Sequence, residues 1–118
     1  MKSLNPQIDV LGKLVSATEF RQKVISHNLA NVNTPEYKRL EVDFETMLSG
    51  EMKNGTASTS DIQPVVREST GVTARADGNT VDIDIEIGQL NKNALLQQVY
   101  LQLLGTELSQ MKMAIQGG

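Results

Sequence analysis

Hydrophobic residues near the start of the chain recur at spacings that alternate between four and three. Thr18 and Gln22 occupy two of these positions and interrupt an otherwise apolar series. The alternation is typical of one face of a long amphipathic helix that packs in a coiled coil. It predicts an N-terminal helical arm over residues 1–34. The apolar members of this N-terminal seam are Leu4, Ile8, Leu11, Val15, Ile25 and Val32, and Leu29 keeps the same spacing.

Both ends of this first helix carry sequence signals. Asn5 precedes Pro6, which is the order expected of an N-cap residue and the first helical position. At the other end Thr34 precedes Pro35 and is pushed toward extended geometry, so the helix is expected to stop near Asn33. Asn33 is then expected to take the left-handed conformation that ends many helices.

The same alternation returns near the C-terminus and predicts a second helical arm over residues 81–118. A second apolar stripe lies beside it, and we call Leu95, Val99 and Leu103 the lateral stripe. We expect the first stripe to pack on the N-terminal arm and the lateral stripe to pack on another subunit, since one helix with two apolar stripes needs two partners. The C-terminal seam consists of Ile83, Ile87, Leu90, Leu101, Leu104, Leu108, Met111 and Ile115, with Ala94 and Gln97 between them.

The start of this second arm has two interpretations. Val81, Ile83, Ile85 and Ile87 alternate with acidic residues, which is a strand pattern. The spacing of four and three continues unbroken after Ile87 and favours a helix from about residue 82. A strand that runs to residue 87, with the helix starting near residue 88, is the alternative.

The central segment, residues 35–80, has a different composition. Glycine and small polar residues dominate residues 49–60, which predicts a flexible loop. Ile62–Glu68 and Val72–Ala76 flank the turn-like sequence at residues 69–71, which predicts a short β-hairpin over residues 62–76. The predicted fold class is therefore mainly α, with two long terminal helices that pair as a coiled-coil-like arm around a small irregular centre.

The composition indicates a thin or shared hydrophobic core. Hydrophobic residues make up 39% of the 118 residues, aromatic residues make up 3%, and tryptophan is absent. A compact core would normally contain several large aromatic anchors. The sequence therefore favours a chain that completes its core by assembly with other chains.

The sequence shows no constellation typical of an enzyme or a metal site. Cysteine is absent and His27 is the single histidine, so no thiolate or histidine cluster is expected to bind a metal. Ser26 and His27 are adjacent and do not face each other on a helix, which argues against a nucleophile and its base. We expect no enzyme activity, no cofactor and no small-molecule substrate. The net charge of −3 and the scattered basic residues argue against a nucleic-acid partner.

The sequence also lacks features of a membrane-inserted chain. No segment approaches the roughly 20 apolar residues that a transmembrane helix needs. The first residues lack the continuous apolar core of a cleaved secretory signal peptide. If the protein leaves the cytoplasm, we expect a route other than general secretion.

One string at the end of the first helix, SHNLANVNTPEYKR, resembles the N-terminal signature of the bacterial flagellar axial proteins of the rod and hook. That family carries an S-x-N-L-A-N string followed by a turn of the Thr-Pro-Gly-Tyr type. Glu36 stands where that turn usually has glycine. The matching residues are Ser26, Asn28, Leu29, Ala30, Asn31, Thr34, Pro35 and Tyr37.

The C-terminal side is similar to one branch of that family, the B-type subunits of the proximal rod. The similar segments are DGNTVDIDIEIGQL, residues 77–90, and the ending MKMAIQGG. The short centre agrees, because hook and distal-rod relatives carry large inserted domains between their two arms. The resemblance covers both arms, about two thirds of the chain.

The resemblance implies a non-enzymatic subunit of the flagellar basal body that stacks helically into the periplasmic rod. It implies export by the flagellar type III apparatus without a cleaved signal peptide. The partners it implies are copies of the chain, other proximal-rod subunits, a membrane-ring adaptor protein and the export gate. Asn28 and Asn31 are expected to form hydrogen bonds across subunit boundaries.

Two other classes of protein are compatible with parts of the sequence. A soluble helical adaptor or export chaperone of a type III secretion system would also bind helices, although a compact adaptor would not need the glycine-rich centre. A small wall-acting hydrolase near the rod is the second alternative. The sequence supplies neither its catalytic residues nor the aromatic residues that line most sugar-binding sites.

Overall fold

The computed structural model describes residues 5–46, 48–49 and 63–117. Two long helices dominate, α1 over Pro6–Ala30 and α2 over Ile83–Gln116. Between them lie two short strands, β1 over Leu40–Asp43 and β2 over Val65–Glu68. The molecule is elongated, with principal dimensions of 65 × 27 × 19 Å. The predicted mainly α fold, with two paired helices and a small β centre, is confirmed.

Local side-chain chemistry fixes the first residue of each helix. The side chain of Asn5 accepts hydrogen bonds from the backbone N–H groups of Gln7 (3.0 Å) and Ile8 (3.2 Å), as its predicted N-cap role requires. Asp82 caps α2 in the same way and accepts from the N–H of Asp84 at 2.9 Å. The helical interpretation of residues 82–87 is therefore confirmed, and the alternative strand is wrong.

The end of α1 differs from the prediction. The helix ends at Ala30 with Asn31 as its C-cap, and Glu36 takes the left-handed conformation (φ 63°) that was expected of Asn33. Thr34 donates from its N–H to the Asn31 carbonyl at 3.0 Å, and Tyr37 donates to the Thr34 carbonyl at 3.3 Å. Two successive turns therefore replace the last helical turn. Pro35 followed by a residue with positive φ is the pattern of a type II turn.

The two strands pair antiparallel, with Leu40 opposite Glu68 and Asp43 opposite Val65. The predicted hairpin over residues 62–76 is wrong in its partner, because β2 pairs with β1 and Val72–Ala76 forms no strand. Opposite charges favour the observed pairing, since Arg67 donates to Glu41 at 3.0 Å across the strands. Residue 62 and residues 50–60 of the predicted loop lie outside the described residues.

Apolar packing concentrates on a face of α1 that the first seam does not include. Phe44 and Leu48 are buried against Ala17, with Val10 and Leu14 half-buried beside them. Val10, Leu14 and Ala17 follow the same spacing of four and three along α1. Helix α1 therefore has two contact faces, one for α2 and one for the segment that follows β1.

The two helices pack antiparallel, and polar contacts recur along their interface. Asn28 contacts Glu86, and Asn93 donates to the Thr18 carbonyl at 2.7 Å. Near the other end of the arm the Gln7 amide lies 3.1 Å from the Glu107 carboxylate. These contacts fix how the two helices align along their length, because an apolar face alone tolerates sliding.

Candidate functional site: a buried polar junction

The end of α1, the turn that follows it and the start of α2 meet in a cluster of buried polar side chains. We call Asn28, Tyr37, Arg39, Asn79 and Glu86 the polar junction. Asn28, Asn79 and Glu86 are fully buried, and Arg39 is 8% exposed. Since burying polar and charged groups is costly unless every group is paired, the hydrogen bonds of this cluster decide its stability.

Asn28 links three parts of the chain through its amide. The amide nitrogen donates to the Leu40 carbonyl at 2.8 Å and to the Glu86 carboxylate at 3.2 Å. The amide oxygen accepts from the Leu40 N–H at 3.0 Å and from the Tyr37 hydroxyl at 2.8 Å. All four hydrogen-bonding positions of the amide are filled within one chain. The expected hydrogen bond of Asn28 across a subunit boundary stays a prediction, and it would require one of these contacts within the chain to be shared.

Arg39 and Glu86 form a buried ion pair between the start of β1 and the first turns of α2. The Arg39 Nε donates to one carboxylate oxygen of Glu86, and Asn28 donates to the other oxygen. Arg39 also donates to the Ser69 hydroxyl, and its backbone N–H donates to the Thr80 hydroxyl at 2.7 Å. The additional hydrogen bonds supply the compensation that a buried ion pair needs.

Asn79 caps the end of α1 from a distant part of the sequence. Its amide nitrogen lies 2.9 Å from the Asn31 carbonyl, 3.1 Å from that of Val32 and 2.8 Å from that of Thr34. Its amide oxygen accepts from the Val81 N–H at 2.7 Å. One side chain therefore satisfies helix-end carbonyls and orients the segment that leads into α2.

Arg75 reinforces this cap from outside. Its guanidinium donates to the Val32 carbonyl and, at 3.3 Å, to the Val81 carbonyl. Its backbone N–H donates to the Asn79 carbonyl at 2.9 Å and closes the turn that holds Asn79 in place. Residues 75–80 are thus bound at several points to the end of α1 and the turn that follows it.

Tyr37 joins the junction to the surface of α1. Its hydroxyl donates to the Asn28 amide oxygen and lies 2.8 Å from the His27 Nδ1. The hydroxyl has one proton, so His27 must donate from Nδ1. Burial, and then the negative charge of Glu86, raise the pKa of Tyr37 above its ordinary value. Tyr37 is therefore a neutral hydrogen-bonding group at neutral pH.

The turn that carries Glu36 constrains one glycine. The φ of Gly78 is 83°, and a Cβ atom there would lie 2.6 Å from the Glu36 carboxyl carbon. The Glu36 N–H also donates to the Asp77 carbonyl at 2.9 Å. Gly78 is required both by its backbone conformation and by the side chain packed against it.

A second polar layer lies about two helical turns away along α1. Arg21 forms a bidentate ion pair with Glu45, at 2.8 and 2.5 Å, and also reaches the Val42 carbonyl at 3.4 Å. Burial is the largest single influence and would raise the pKa of Glu45. The hydrogen bonds and positive charge of Arg21, together with backbone hydrogen bonds, outweigh it and hold the pKa below its ordinary value. Arg21 lies 3.5 Å from Asn93, which in turn donates to Thr18. This layer fixes α2 and the end of β1 against α1.

An open cleft of about 470 Å³ runs between β1 and the first half of α2. Val24 and Ile25 of α1 line it, together with Leu96 and Tyr100 of α2. Burial, followed by the charge of Glu45, raises the pKa of Tyr100. Within the described ranges no three acidic or histidine side chains cluster in a way that would bind a metal ion. The polar junction, whose groups are paired with one another, is suited to fixing the angle between chain segments.

Comparisons with known proteins agree on one family. The family model described as "Flagella basal body rod protein" matches residues 15–38, which include Asn28 and Tyr37 of the junction. The chain is 32% identical to the flagellar basal body rod protein FlgB of Salmonella typhimurium over 83% of the chain and 84% of that relative. It is 31% identical to FlgB of Cereibacter sphaeroides over 99% of both chains, and 29% identical to FlgB of Bacillus subtilis over 100% of the chain and 99% of that relative.

The chain belongs to the FlgB family of flagellar basal body rod proteins. It is accordingly a structural subunit of the flagellar basal body rod. Among the described helices, none is both long enough and apolar enough to cross a membrane.

The residues of the FlgB-family motif divide between the junction and the surface. Asn28 is buried, and Leu29, Asn31 and Tyr37 are half-buried. Asn31 donates from its side chain to the His27 carbonyl at 2.9 Å and accepts from the Thr34 hydroxyl at 3.1 Å. The motif thus builds the end of α1 and its turn within one chain. The remaining motif residues are exposed, namely Ser26, Ala30, Thr34 and Pro35.

The N-terminal seam lies along the side of α1 that faces inward. Ile25 is 3% exposed, and Thr18, which interrupts the seam, is 1% exposed. Gln22, the other polar interruption, is exposed. Leu4 lies outside the described residues. The half-buried members of the seam are Ile8, Leu11, Val15 and Val32.

The C-terminal seam is split by the structure. Leu90, Leu104 and Met111 are half-buried at the α1 interface, whereas the other predicted members are exposed. The positions that complete the interface carry Glu86, Asn93, Tyr100 and Glu107, again at intervals of seven. The lateral stripe is exposed in the single chain. The exposed seam residues are Ile83, Ile87, Leu101, Leu108 and Ile115.

Of the buried polar residues, Asn28 was predicted as a site residue, whereas Arg39, Asn79, Glu86 and Asn93 were not, because apolar periodicity does not identify polar positions. Glu86 and Asn93 keep the heptad spacing with Leu90 and Gln97, and this spacing was the available signal. Arg39 and Asn79 carry no periodic signal. The partner of Arg39 lies 47 residues away in the sequence, and one partner of Asn79 lies 48 residues away. Only the folded chain therefore identifies these two residues.

Proposed function

We propose that this rod subunit polymerises helically through its terminal helices in the proximal part of the rod. In this position it links the membrane ring and the export gate to the distal rod, and it transmits torque without catalysing a reaction. Its proposed partners are copies of itself, other proximal-rod subunits, a membrane-ring adaptor protein and export-gate proteins. The proposed location is the periplasmic rod, reached by flagellar type III export without a cleaved signal peptide.

The observation that carries this proposal is the apolar surface that one chain leaves exposed on α2. Leu101, Leu103 and Leu108 are each 49% exposed, and Leu95 is 62% exposed. Residues 93–106 contain no charged side chain on any face of the helix. Contiguous apolar surface of this kind on a soluble chain marks an interaction site. A helix without charge over about four turns is suited to being surrounded by other helices.

The distribution of buried residues also supports folding that is coupled to assembly. Among the described residues, every buried side chain lies between residues 17 and 93. The last 24 described residues of α2 and its cap, 94–117, contain none. Since most helix stability in proteins comes from tertiary packing, this part of α2 gains its full stability when neighbouring subunits cover it.

A gene deletion in the native host tests the proposed role. We expect non-motile cells whose isolated basal bodies, viewed by electron microscopy, retain membrane rings and lack a rod. Expression of the intact gene should restore both rods and swimming. Intact rods in the deletion strain would contradict the proposal.

A further inference from the structure

One edge of the two-stranded sheet has no partner strand among the described residues. The Ser69 N–H donates to the Arg39 carbonyl at 2.9 Å, so residues 39 and 69 form a hydrogen-bonded pair. In the observed register, Glu41 with Arg67 and Asp43 with Val65 are then also hydrogen-bonded pairs. The backbone N–H and C=O groups of Val66 and Glu68 therefore point away from β1. All four side chains of β2 are exposed, and among the described residues none forms a backbone hydrogen bond with these outward groups.

The opposite edge of the sheet is covered by α1. The Asn28 amide occupies both the N–H and the carbonyl of Leu40, and Arg21 reaches the Val42 carbonyl. Side chains of one helix thus replace a neighbouring strand on the β1 side. The β2 side lacks an equivalent within the part of the chain that the structure describes, and open strand edges are sites where other chains add.

The chain also contains a segment with free backbone groups, residues 72–74. Its sequence, Val-Thr-Ala, favours strands at two of three positions, and its backbone makes no hydrogen bond with any described residue. It does not pair with β2 of its own chain, and the Arg75 that follows it is bound to Val32 and Val81 at the junction.

We propose that residues 72–74 of one subunit add as a strand to the outer edge of β2 in a neighbouring subunit. Each subunit then supplies one open edge and one strand, which is a head-to-tail contact that repeats along an open helical polymer. The inference rests on the proposed polymerisation. It assigns the occupant of the β2 edge to a second copy of this chain.

Cysteine cross-linking in assembled rods tests this contact, and the chain contains no native cysteine to interfere. Val66→Cys is combined in turn with Val72→Cys, Thr73→Cys and Ala74→Cys, so that either strand direction and both faces are sampled. On oxidation of purified basal bodies, we expect at least one pair to give a ladder of subunit multimers. Val66→Cys with Ser16→Cys, which lies on the exposed side of α1, is the matched control and should give none.

The outcomes separate this inference from the proposed function. Rods that contain all three paired variants and give no ladder would overturn the strand addition and leave the rod role standing. Cross-links from residue 66 to a different protein would overturn the assignment of a second copy. Absence of the wild-type chain from purified rods would overturn the proposed function itself.

A proline substitution provides a second test. Val66→Pro removes only an outward N–H group, and proline is tolerated on edge strands where the N–H faces solvent. We expect the isolated variant to keep the circular dichroism spectrum of the wild type and to lose at least tenfold in incorporation into rods. Normal incorporation of a well-folded Val66→Pro chain would contradict the proposal.

Discussion

The two ends of the helical arm are built from opposite kinds of residue. At the junction end, buried amides and an ion pair hold α1, β1 and the start of α2 together, and each buried polar atom has a partner. At the other end, α2 exposes leucine, isoleucine and methionine side chains and contributes no buried residue beyond Asn93. The part that a single chain completes is polar and specific. The part that neighbouring subunits complete in the proposed assembly is apolar and adaptable.

This difference follows from what each kind of contact specifies. Hydrogen bonds between buried groups tolerate only one arrangement, because each misplaced group would lose its partner in a poorly solvated site. Burial of an apolar stripe is favourable whichever apolar surface covers it. In the proposed assembly, the junction therefore sets the shape of the subunit beforehand, and the exposed apolar residues of α2 supply the association energy.

The largest effect is expected from a change that disrupts only the apolar end of the helical arm. Replacing both Leu101 and Leu108 with aspartate places two charges on the exposed members of the C-terminal seam, which we call the exposed stripe of α2. We expect the subunit to be exported and to keep its circular dichroism spectrum, because both side chains are half exposed in the single chain. Incorporation into rods should be abolished, since charges buried between subunits would have no partners.

Electron microscopy of basal bodies and immunoblots of purified rods would measure this loss. Gln102→Asp with Ser109→Asp is the matched control. Both residues are exposed beside the stripe, and the two substitutions add the same charge as the leucine double variant. Rods that contain the leucine double variant at wild-type levels would show that the stripe is not an assembly surface.

The second largest effect is expected from a change that disrupts the polar junction. Arg39→Met removes the guanidinium and leaves the fully buried Glu86 carboxylate without its ion-pair partner. Loss of one partner of a buried ion pair costs about 3–5 kcal/mol. Urea unfolding of the isolated chain, followed by circular dichroism, should show a loss of this size or a chain that no longer folds.

Arg67→Met provides the comparison for that measurement. Arg67 is 57% exposed and pairs with Glu41 and Asp43 on the sheet surface. We expect its replacement to change the free energy of unfolding by about 1 kcal/mol or less. Equal losses for Arg39→Met and Arg67→Met would mean that the buried pair does not stabilise the junction in the assigned way.

A smaller effect is expected from removal of the distant cap. Asn79→Ala removes the side-chain donor to the carbonyls of Asn31 and Thr34, which keep only their backbone donors, and the acceptor for the N–H of Val81. The free energy of unfolding should fall by about 1–3 kcal/mol. Asn33→Ala is the matched control, because Asn33 is exposed and close in sequence to the same turn. A loss no greater than that of the control would exclude the capping role.

The smallest expected effect is a dependence of stability on pH. The pKa of Glu45 in the folded chain lies below its ordinary value, so folding favours the ionised carboxylate. Its contribution is present above the ordinary carboxyl pKa of about 4.3 and is lost as the pH falls through the folded value. Because the side chain is 41% exposed, solvent screening keeps this contribution small.

Denaturant midpoints measured between neutral pH and about pH 3 would detect this contribution. The wild type should lose slightly more stability on acidification than Glu45→Gln, since the other carboxyl groups titrate equally in both proteins. An identical loss in the two proteins would show that the ion pair of Arg21 with Glu45 does not contribute.

The sequence predicts the long helices of this protein and the residues at which they begin. Asn5 with Pro6 and the apolar spacing of four and three identify α1, and the unbroken spacing after Ile87 identifies α2 as a helix. Such signals are local, because capping and helix periodicity depend on residues within a few turns. The end of α1 was less predictable, since Asn79 stabilises it from a position that local signals do not reach.

The partner of β2 and the inward face of α2 were not predictable from local patterns. Apolar spacing identifies the most hydrophobic face of a helix, whereas α2 turns Glu86 and Asn93 toward α1 and leaves Ile87 and Leu101 exposed. In a chain that assembles, the most apolar face of a helix can be buried by another subunit as well as by the same chain. A single sequence therefore does not distinguish contacts within the chain from contacts between chains.

Hydrogen exchange of dilute, monomeric protein tests the contrast between the two halves most directly. Amide protection depends on local stability, so the backbone around the junction should exchange as one stable unit. We predict that amides in residues 18–30 and 84–93 exchange at least about 100-fold more slowly than those in residues 100–116. Equal protection along the whole of α2 would contradict the account, because the distal half would then be stable without neighbouring subunits.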